Sequence, residues 1–532
     1  LSGLTEILRQ RVRERLEPVA VQKADLPQAC IHVASILRFR ATDRVYNSPV
    51  QPTTLFWHDY ETTGADARRD RPVQFAGVRT DLELEPIGEP VMALMQPQRD
   101  ALPHPEACLI TGITPQRAQR EGVSEREFAA LVNEQLARPG TCGVGFNSIR
   151  FDDEFTRNLL YRNFYDPYER EWRNDNSRWD LIDVARACYA LRPKGLSWPL
   201  REDGTPSFRL EELCHANAIE LERAHEALTD ALATLELARA IRRAQPRLYE
   251  FLFGLRRKRR VQEFLDWQRM TPVLHVSARF PARRGCLALV APITPIPAQP
   301  NAIAVFDLDA DPSALIDLPA DEVRERVFAS RRDLPEDEQR IPLKLVHINR
   351  SPVLAPTATL EGVDLGRIAL DPERCQRHLE KLRATSGLAN KVSAVFARVE
   401  PEESEASDPE LALYDGFAAD ADRALFARVR AAGPRELANW SQSFRDRRYD
   451  ELLFRYRARN WPESLGSGER ERWQAFCRSR IEGRSPVAGI GLIEYRRLLA
   501  ARRTDPATTP HQHALLDALD AWADELTLDI SA

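Results

Sequence analysis

The stretch 55–64, LFWHDYETTG, decides the fold. Leu55, Phe56 and Trp57 open it as a hydrophobic run of the kind that forms a buried strand. Side chains alternate along a strand, so Asp59 and Glu61 point to the same face. Two carboxylates on one face of a core strand repel each other unless a cation lies between them. A hard divalent ion, Mg²⁺ or Mn²⁺, prefers such oxygen ligands. The competing reading is a strand end whose exposed acids enter a turn, because Thr62-Thr63-Gly64 is turn-like.

Outward from that strand, residues 53–245 read as one α/β unit. TTLFWHDYE, RPVQFAGVRTDL and PVMALMQ are three successive strands with short connections, which favours antiparallel neighbours. ITPQRAQREG and SEREFAALVNEQLA are helices, the second with Ser124 as N-cap and Glu127 completing a capping box. TCGVGFN is a fourth strand. DDEFTRNLLYRNFY, RWDLIDVARACYALR, SFRLEELCHANA and HEALTDALATLELARAIRRA read as helices. That order matches a ribonuclease-H-like fold.

Two further places carry acids that can meet the first pair. In GFNSIRFDDEF a strand gives way to a helix, with Asn147 and Asp152 five apart. Asp152 can start the helix and turn toward Asp59 and Glu61. Its other reading is helix capping, and Asp152 and Asp153 can divide the roles of ligand and cap. In HEALTD, His225 precedes a helix and Asp230 lies in its first turns, so both can reach one site. Histidine is the side chain whose ordinary pKa suits proton transfer near neutrality. His225 also reads as a surface residue or cap, and His215 in LEELCHANA has no Asp five residues later.

The rest of the chain divides further. Its 532 residues imply more than one domain, and 43% hydrophobic with 29% charged residues is ordinary globular composition. QPRLYEFLFGLRRKRRVQ marks a junction, with a basic run at 256–260 that reads as a solvated helix face, a hinge or a strand-binding patch. PVLHVSARF, CLALVAPIT, NAIAVFDLD and IPLKLVHIN are short apolar runs punctuated by proline, the pattern of a small β-barrel. After the charged stretch PEESEASDPE, helical periodicity returns, as in RRYDELLFRYRARNWPESL. The expected divisions are 1–52, an N-terminal extension of unassigned role; 53–245, the α/β unit; 246–400, the barrel; and 401–532, a helical domain. Within 1–52, LTEILRQRVRERLEP suggests an amphipathic helix.

A net charge of −5 gives no overall nucleic-acid signature, yet a local basic groove is compatible with it. None of the eight cysteines forms a C-x-x-C pair, so neither a zinc nor a redox motif is indicated, and scattered thiols fit a reducing cytoplasm. No apolar run has membrane-span length, and no signal peptide is visible.

The joint pattern is more specific than its parts. D-x-E on the first strand, N-x4-D after the fourth and H-x4-D in the closing helix resemble the DEDDh exonuclease family, and within it the bacterial enzymes that degrade single-stranded DNA. The resemblance extends through DNSRWDLIDVARACYALRP, SFRLEEL, PLKLVHIN, LYDGF, DADRALF and LLFRYRARNWP, roughly residues 54 to 530. It implies a ribonuclease-H-like exonuclease domain, an SH3-like barrel and a C-terminal helical domain clamping the strand. It implies 3′→5′ hydrolysis of single-stranded DNA to 5′-mononucleotides with two Mg²⁺ ions, in DNA repair and recombination. Asp59, Glu61, Asp152 and Asp230 would hold the metals and His225 would be the general base. Arg209, Arg157, Tyr168, Trp172 and Glu61 would contact the strand. Arg192 would belong to a basic surface for the acidic tail of single-stranded DNA-binding protein. A cytoplasmic monomer is expected. Thr63 stands where the family's motif carries an aromatic. Two other readings remain: an RNA-trimming exonuclease with the same metal site, and a non-catalytic single-strand-binding module.

Overall fold

β1 (Thr54–Thr62) is the middle of a five-stranded mixed sheet of order β3-β2-β1-β4-β5. β2 (Pro72–Thr80) and β3 (Val91–Leu94) continue from it antiparallel; β4 (Thr141–Gly145) and β5 (Ser177–Asp180) run parallel on its other side. The structure, a computed structural model, describes residues 53–220, 225–330, 334, 339–397 and 407–531. The helix expected within 1–52 lies outside the described residues.

A central strand needs partners on both faces, and β1 has them. Leu55 and Trp57 join a core with Val144, Trp179, Leu235 and Ile241. Phe56 and Tyr60 face the other way, onto Phe75 and Phe128. Along the first face the chemistry changes abruptly after Trp57, from apolar to the acids Asp59 and Glu61. Register sets Asp59 opposite Ala76 and Glu61 opposite Gln74 on β2.

Helices α1 (Pro105–Thr111), α2 (Pro115–Glu121) and α3 (Glu125–Ala137) follow β3. The expected capping box of Ser124 and Glu127 is present at α3. α1 was not anticipated, although its signals are local: His104 caps it, Pro105 opens it and Gly112 closes it in the left-handed conformation at φ 67°. α4 (Asp152–Arg162), α5 (Leu181–Leu191), α6 (Leu210–Ala216) and α7 (Ala227–Ala244) complete the unit. RWDLIDVARACYALR is not helical throughout, because Ser177–Asp180 forms β5 and α5 begins only at Leu181. The strand wins there because it pairs with β4 in the buried interior, where Trp179 is 1% exposed, and Asp180 then caps the helix.

The second sheet is antiparallel, in the order β10-β6-β7-β8-β9. The four expected apolar runs are β6 (Val273–Val276), β7 (Leu287–Ile296), β8 (Gln299–Asp307) and β9 (Leu343–His347). The fifth, β10 (Val353–Pro356), is an edge strand, the position at which a terminal proline is tolerated. The basic run 256–260 is largely engaged: Arg257 pairs with Asp175, Lys258 with Asn301 and Arg260 with Glu263.

From Pro409 onward the described chain is helical. These helices are fastened to the first unit by apolar packing and by buried ions. Leu102 and Cys108 enter a cluster with Leu516, Leu519 and Trp522, while Tyr161 and Phe164 enter another with Phe426, Phe444 and Tyr449. Between these clusters Glu410, fully buried, accepts from Arg71 at 2.7 Å and from Arg459 at 2.6 Å. Arg459 also reaches the buried Asp100 at 2.8 Å, as does Arg480 at 2.5 Å. Burial opposes the charge on Glu410, but the Arg459 and Arg71 guanidinia outweigh it and hold the carboxyl well below the usual carboxylate range. A depressed carboxyl pKa contributes stability above the ordinary value, lost as pH falls through the native one.

Removing one member of a buried pair strands its partners' charge. Glu410→Ala is expected to destabilise the protein by about 3–5 kcal/mol. Equilibrium denaturant unfolding at neutral pH measures this; a change within 0.5 kcal/mol (about the scatter of surface substitutions) would contradict it.

Candidate active site

Three elements bring the acids together. β1 supplies Asp59 and Glu61, and α7, packed across β1 and β2, supplies Asp230 from its first turn. One carboxylate oxygen from each of Asp59, Glu61 and Asp230 lies within 4.8 Å of the others. α7 is held in register by Gln74 of β2, whose side-chain oxygen accepts from the Ala227 amide at 3.2 Å. Sequence reasoning missed Gln74, since nothing local marks a strand glutamine as a helix cap.

Asp152 stands outside that triple, yet its charge reaches Asp59. It is 2% exposed at the start of α4. The turn before it is built by Asn147, at φ 65°, and by Asp180, which accepts from the Asn147 amide at 2.8 Å and the Ile149 amide at 3.2 Å. Neither Asp152 nor Asp153 caps α4, so the expected division into ligand and cap is corrected. Asp153 is instead gripped by Arg170 at 2.5 Å and Arg178 at 2.6 Å. These arginines hold it far below the usual carboxylate range despite its burial.

The unpaired acids behave oppositely. Burial, then Asp152, Glu61 and Asp230, push Asp59 well up. Burial and the Asp153 charge push Asp152 well up. Burial, then Asp230, pushes Glu61 to about 8. Burial raises Asp230 to about 6, with His225 pulling the other way. Asp152 Oδ1 and Asp230 Oδ1 are buried oxygens without a hydrogen-bond partner. Orphaned anionic oxygens in a shared buried space fit a divalent cation, which supplies positive charge and coordination together.

His225 sits at the mouth, about half exposed, at the unusual φ of 63°. Its Nε2 meets Glu211 Oε1 of α6 at 2.9 Å. His215 is exposed on α6. Arg209 is largely exposed, its closest acid Glu212 at 3.6 Å. Trp172 is 65% exposed. Arg157 is buried and engaged with Glu154 at 2.5 Å and Glu171 at 2.7 Å, and lies over the Tyr168 ring at 5.6 Å. Arg192 is half-buried, its Nη1 on the Leu191 carbonyl. Thr63 closes the β1–β2 hairpin: its hydroxyl accepts from the Arg71 amide at 2.9 Å. His58, buried behind the acids with burial pushing it down to about 4, was not singled out from sequence.

A mixed sheet of this order, with buried acids converging from its central strand and closing helix, defines an exonuclease domain of the ribonuclease-H-like class. Family models match three successive spans: Exonuclease over 56–238, Exonuclease I SH3-like domain over 256–398 and Exonuclease I C-terminal domain over 407–526. The chain is 44% identical over 480 residues to exodeoxyribonuclease I of Escherichia coli (strain K12), covering 90% of this chain and 99% of that protein. The structure of exonuclease I from Methylocaldum szegediense superposes with a TM-score of 0.85 at 48% identity, over 89% of this chain and 99% of that one. A zinc-bound form of the E. coli exonuclease I–single-stranded DNA complex gives 0.84 at 43% identity, over 90% and 100%. The chain belongs to the exonuclease I family.

The raised carboxyl pKa values carry a sign. A carboxyl raised in the native state destabilises its ionised form, so in metal-free protein the cluster costs stability as pH rises from about 4.5 toward 8. Divalent metal needs the ionised acids, so calorimetric Mn²⁺ affinity is expected to rise between pH 6 and 8. Asp152→Asn is expected to raise the metal-free melting midpoint and to abolish its increase on adding Mn²⁺. Equal midpoints for both proteins without metal would refute the repulsion.

Proposed function

We propose that this chain is a 3′→5′ exonuclease that hydrolyses single-stranded DNA to 5′-mononucleotides, with Asp59, Glu61, Asp152 and Asp230 holding two divalent ions, Mg²⁺ in the cell. The observation that carries this reading is the buried convergence of Asp59, Glu61 and Asp230, with Asp152 beside them. When bound, the ions lower the pKa of the attacking water and stabilise the charge developing on the phosphate and the leaving 3′-oxygen.

The chain's own residues do the rest. The four carboxylates would hold the ions on elements anchored to β1, a rigid strand rather than a loop. His225 accepts a proton from the water. The imidazolium formed would lie against Glu211, 2.9 Å from Nε2, which favours the charged product of that transfer. Arg209 and Trp172, both exposed, would meet phosphate and base. Arg157 lies over the Tyr168 ring, so its part in binding would be to orient that ring. Arg192 is assigned to the surface for the acidic tail of single-stranded DNA-binding protein. The working state is a monomer in the cytoplasm, with units 53–245, 246–400 and 401–532 enclosing the strand. Among the described residues no helix is long and apolar enough to cross a membrane.

The test is a denaturing gel of 5′-labelled deoxyribose and ribose strands with Mg²⁺. A ladder shortening from the 3′ end of the DNA, absent for Asp230→Ala, is expected. An intact but bound strand would favour the binding module, and preference for the ribose strand would favour RNA trimming. His225→Ala is expected to retain strand affinity while turnover falls by roughly 10²–10⁴. Undiminished turnover would remove His225 as the base.

A further inference from the structure

We infer that Arg178 is a positioning residue that joins the β9–β10 turn of the barrel to the acid end of α4, so that a strand phosphate held by Arg350 sets the position of Asp152. The inference rests on the function proposed above and adds a control on it.

Arg178 lies on β5, 6% exposed, and its guanidinium forks. Nη1 donates to Asp153 Oδ2 at 2.6 Å. Nη2 donates to the Asn349 backbone carbonyl at 3.1 Å and pairs with Glu171 at 2.9 Å. One planar group therefore touches the residue beside Asp152 and the main chain of the barrel's turn. A guanidinium holds these contacts in one planar fork, which an ammonium on a flexible stem does not fix in the same way.

The turn offers a receptor for an anion. Arg350 follows Asn349 directly and is exposed. Among the described residues it forms no ion pair. Burial of its guanidinium and the Arg157 charge weigh against the Arg350 cation, Arg178 adds to this, and Glu154 partly offsets it. A guanidinium without an acid of its own is complementary to a phosphodiester, which it can bind in bidentate fashion. Ser351, next along, holds the turn at φ 45°. An anion drawn to Arg350 pulls on the Asn349 carbonyl and hence on Arg178.

At the receiving end small movements matter. Asp152 and Asp153 are the first two residues of α4, so a shift of one carries the other. Arg170 fixes the second oxygen of Asp153 at 2.5 Å, and Tyr414 of the helical unit bonds Glu154 on the same first turn. Misplacement of a catalytic group by a fraction of an ångström has a large effect on rate. The first turn of α4 is thus tied to Arg178, Arg170 and Tyr414, so a shift of Arg178 is passed to Asp152.

The experiment is a double-mutant cycle on single-stranded DNA with Mg²⁺, using Arg178→Lys, which keeps the charge but loses the fork, and Arg350→Gln. Each single variant is expected to lower kcat/KM by about tenfold, both mainly through kcat, because Arg350 acts through Arg178. The double variant is expected to lie within about twofold of Arg178→Lys. Effects multiplying to about a hundredfold would mean independent roles and would overturn the coupling. Should Arg178→Lys fail to fold, hydrogen exchange at the amides of 152–158 decides. With a single strand held in Ca²⁺, protection of these amides is expected in the parent and not in Arg350→Gln; equal protection overturns the inference. A parent protein that leaves DNA uncut removes the function proposed above, an outcome distinct from active but uncoupled variants.

Discussion

Mutual repulsion among Asp59, Glu61, Asp152 and Asp230 is the constraint around which the exonuclease unit is built. Left to themselves, these carboxylates would separate or take up protons. Without metal they take up protons, but they cannot separate, because each is anchored by an element that is stable for other reasons. β1 is locked by aromatic packing on both faces, α7 by its apolar stripe and by Gln74, and α4 by the ion pairs of Asp153. The scaffold thus stores an electrostatic preference that a divalent ion satisfies. This is the usual arrangement for a site whose function conflicts with its own stability.

How far this was legible in sequence depends on where the deciding forces lie. Asp59 and Glu61 were readable because strand alternation is a local rule, and Asp230 because its helix is long and periodic. The capping box at Ser124 was readable for the same reason. β5 was not, since SRWD becomes a strand only by lying beside β4, a tertiary fact. β10 was masked by its flanking prolines, tolerable only on an edge. The role of Asp153 was misjudged because its partners Arg170 and Arg178 are 17 and 25 residues away, beyond any local pattern. Arg157 was read as a strand contact because it flanks the third acid; that its guanidinium is buried against Glu171 is a tertiary fact no local pattern shows.

Ion pairs divide into two kinds here. Those at the surface, such as Arg117 with Glu121, are exposed and contribute little. Those around Asp153 and Glu410 are buried, share arginines between several acids and confer geometry more than energy. The first group tunes solubility; the second dictates which surfaces of the three units can face one another.

Arg71 is where that dictation meets the chemistry. Its main chain closes the hairpin at the end of β1 through Thr63, two residues past Glu61, and its guanidinium ends on Glu410 of the helical unit. In evolutionary terms the helical unit is therefore not a detachable accessory. A lineage that shed it would leave Arg71 and Asp100 without Glu410, Arg459 and Arg480, and would have to change both in the same step.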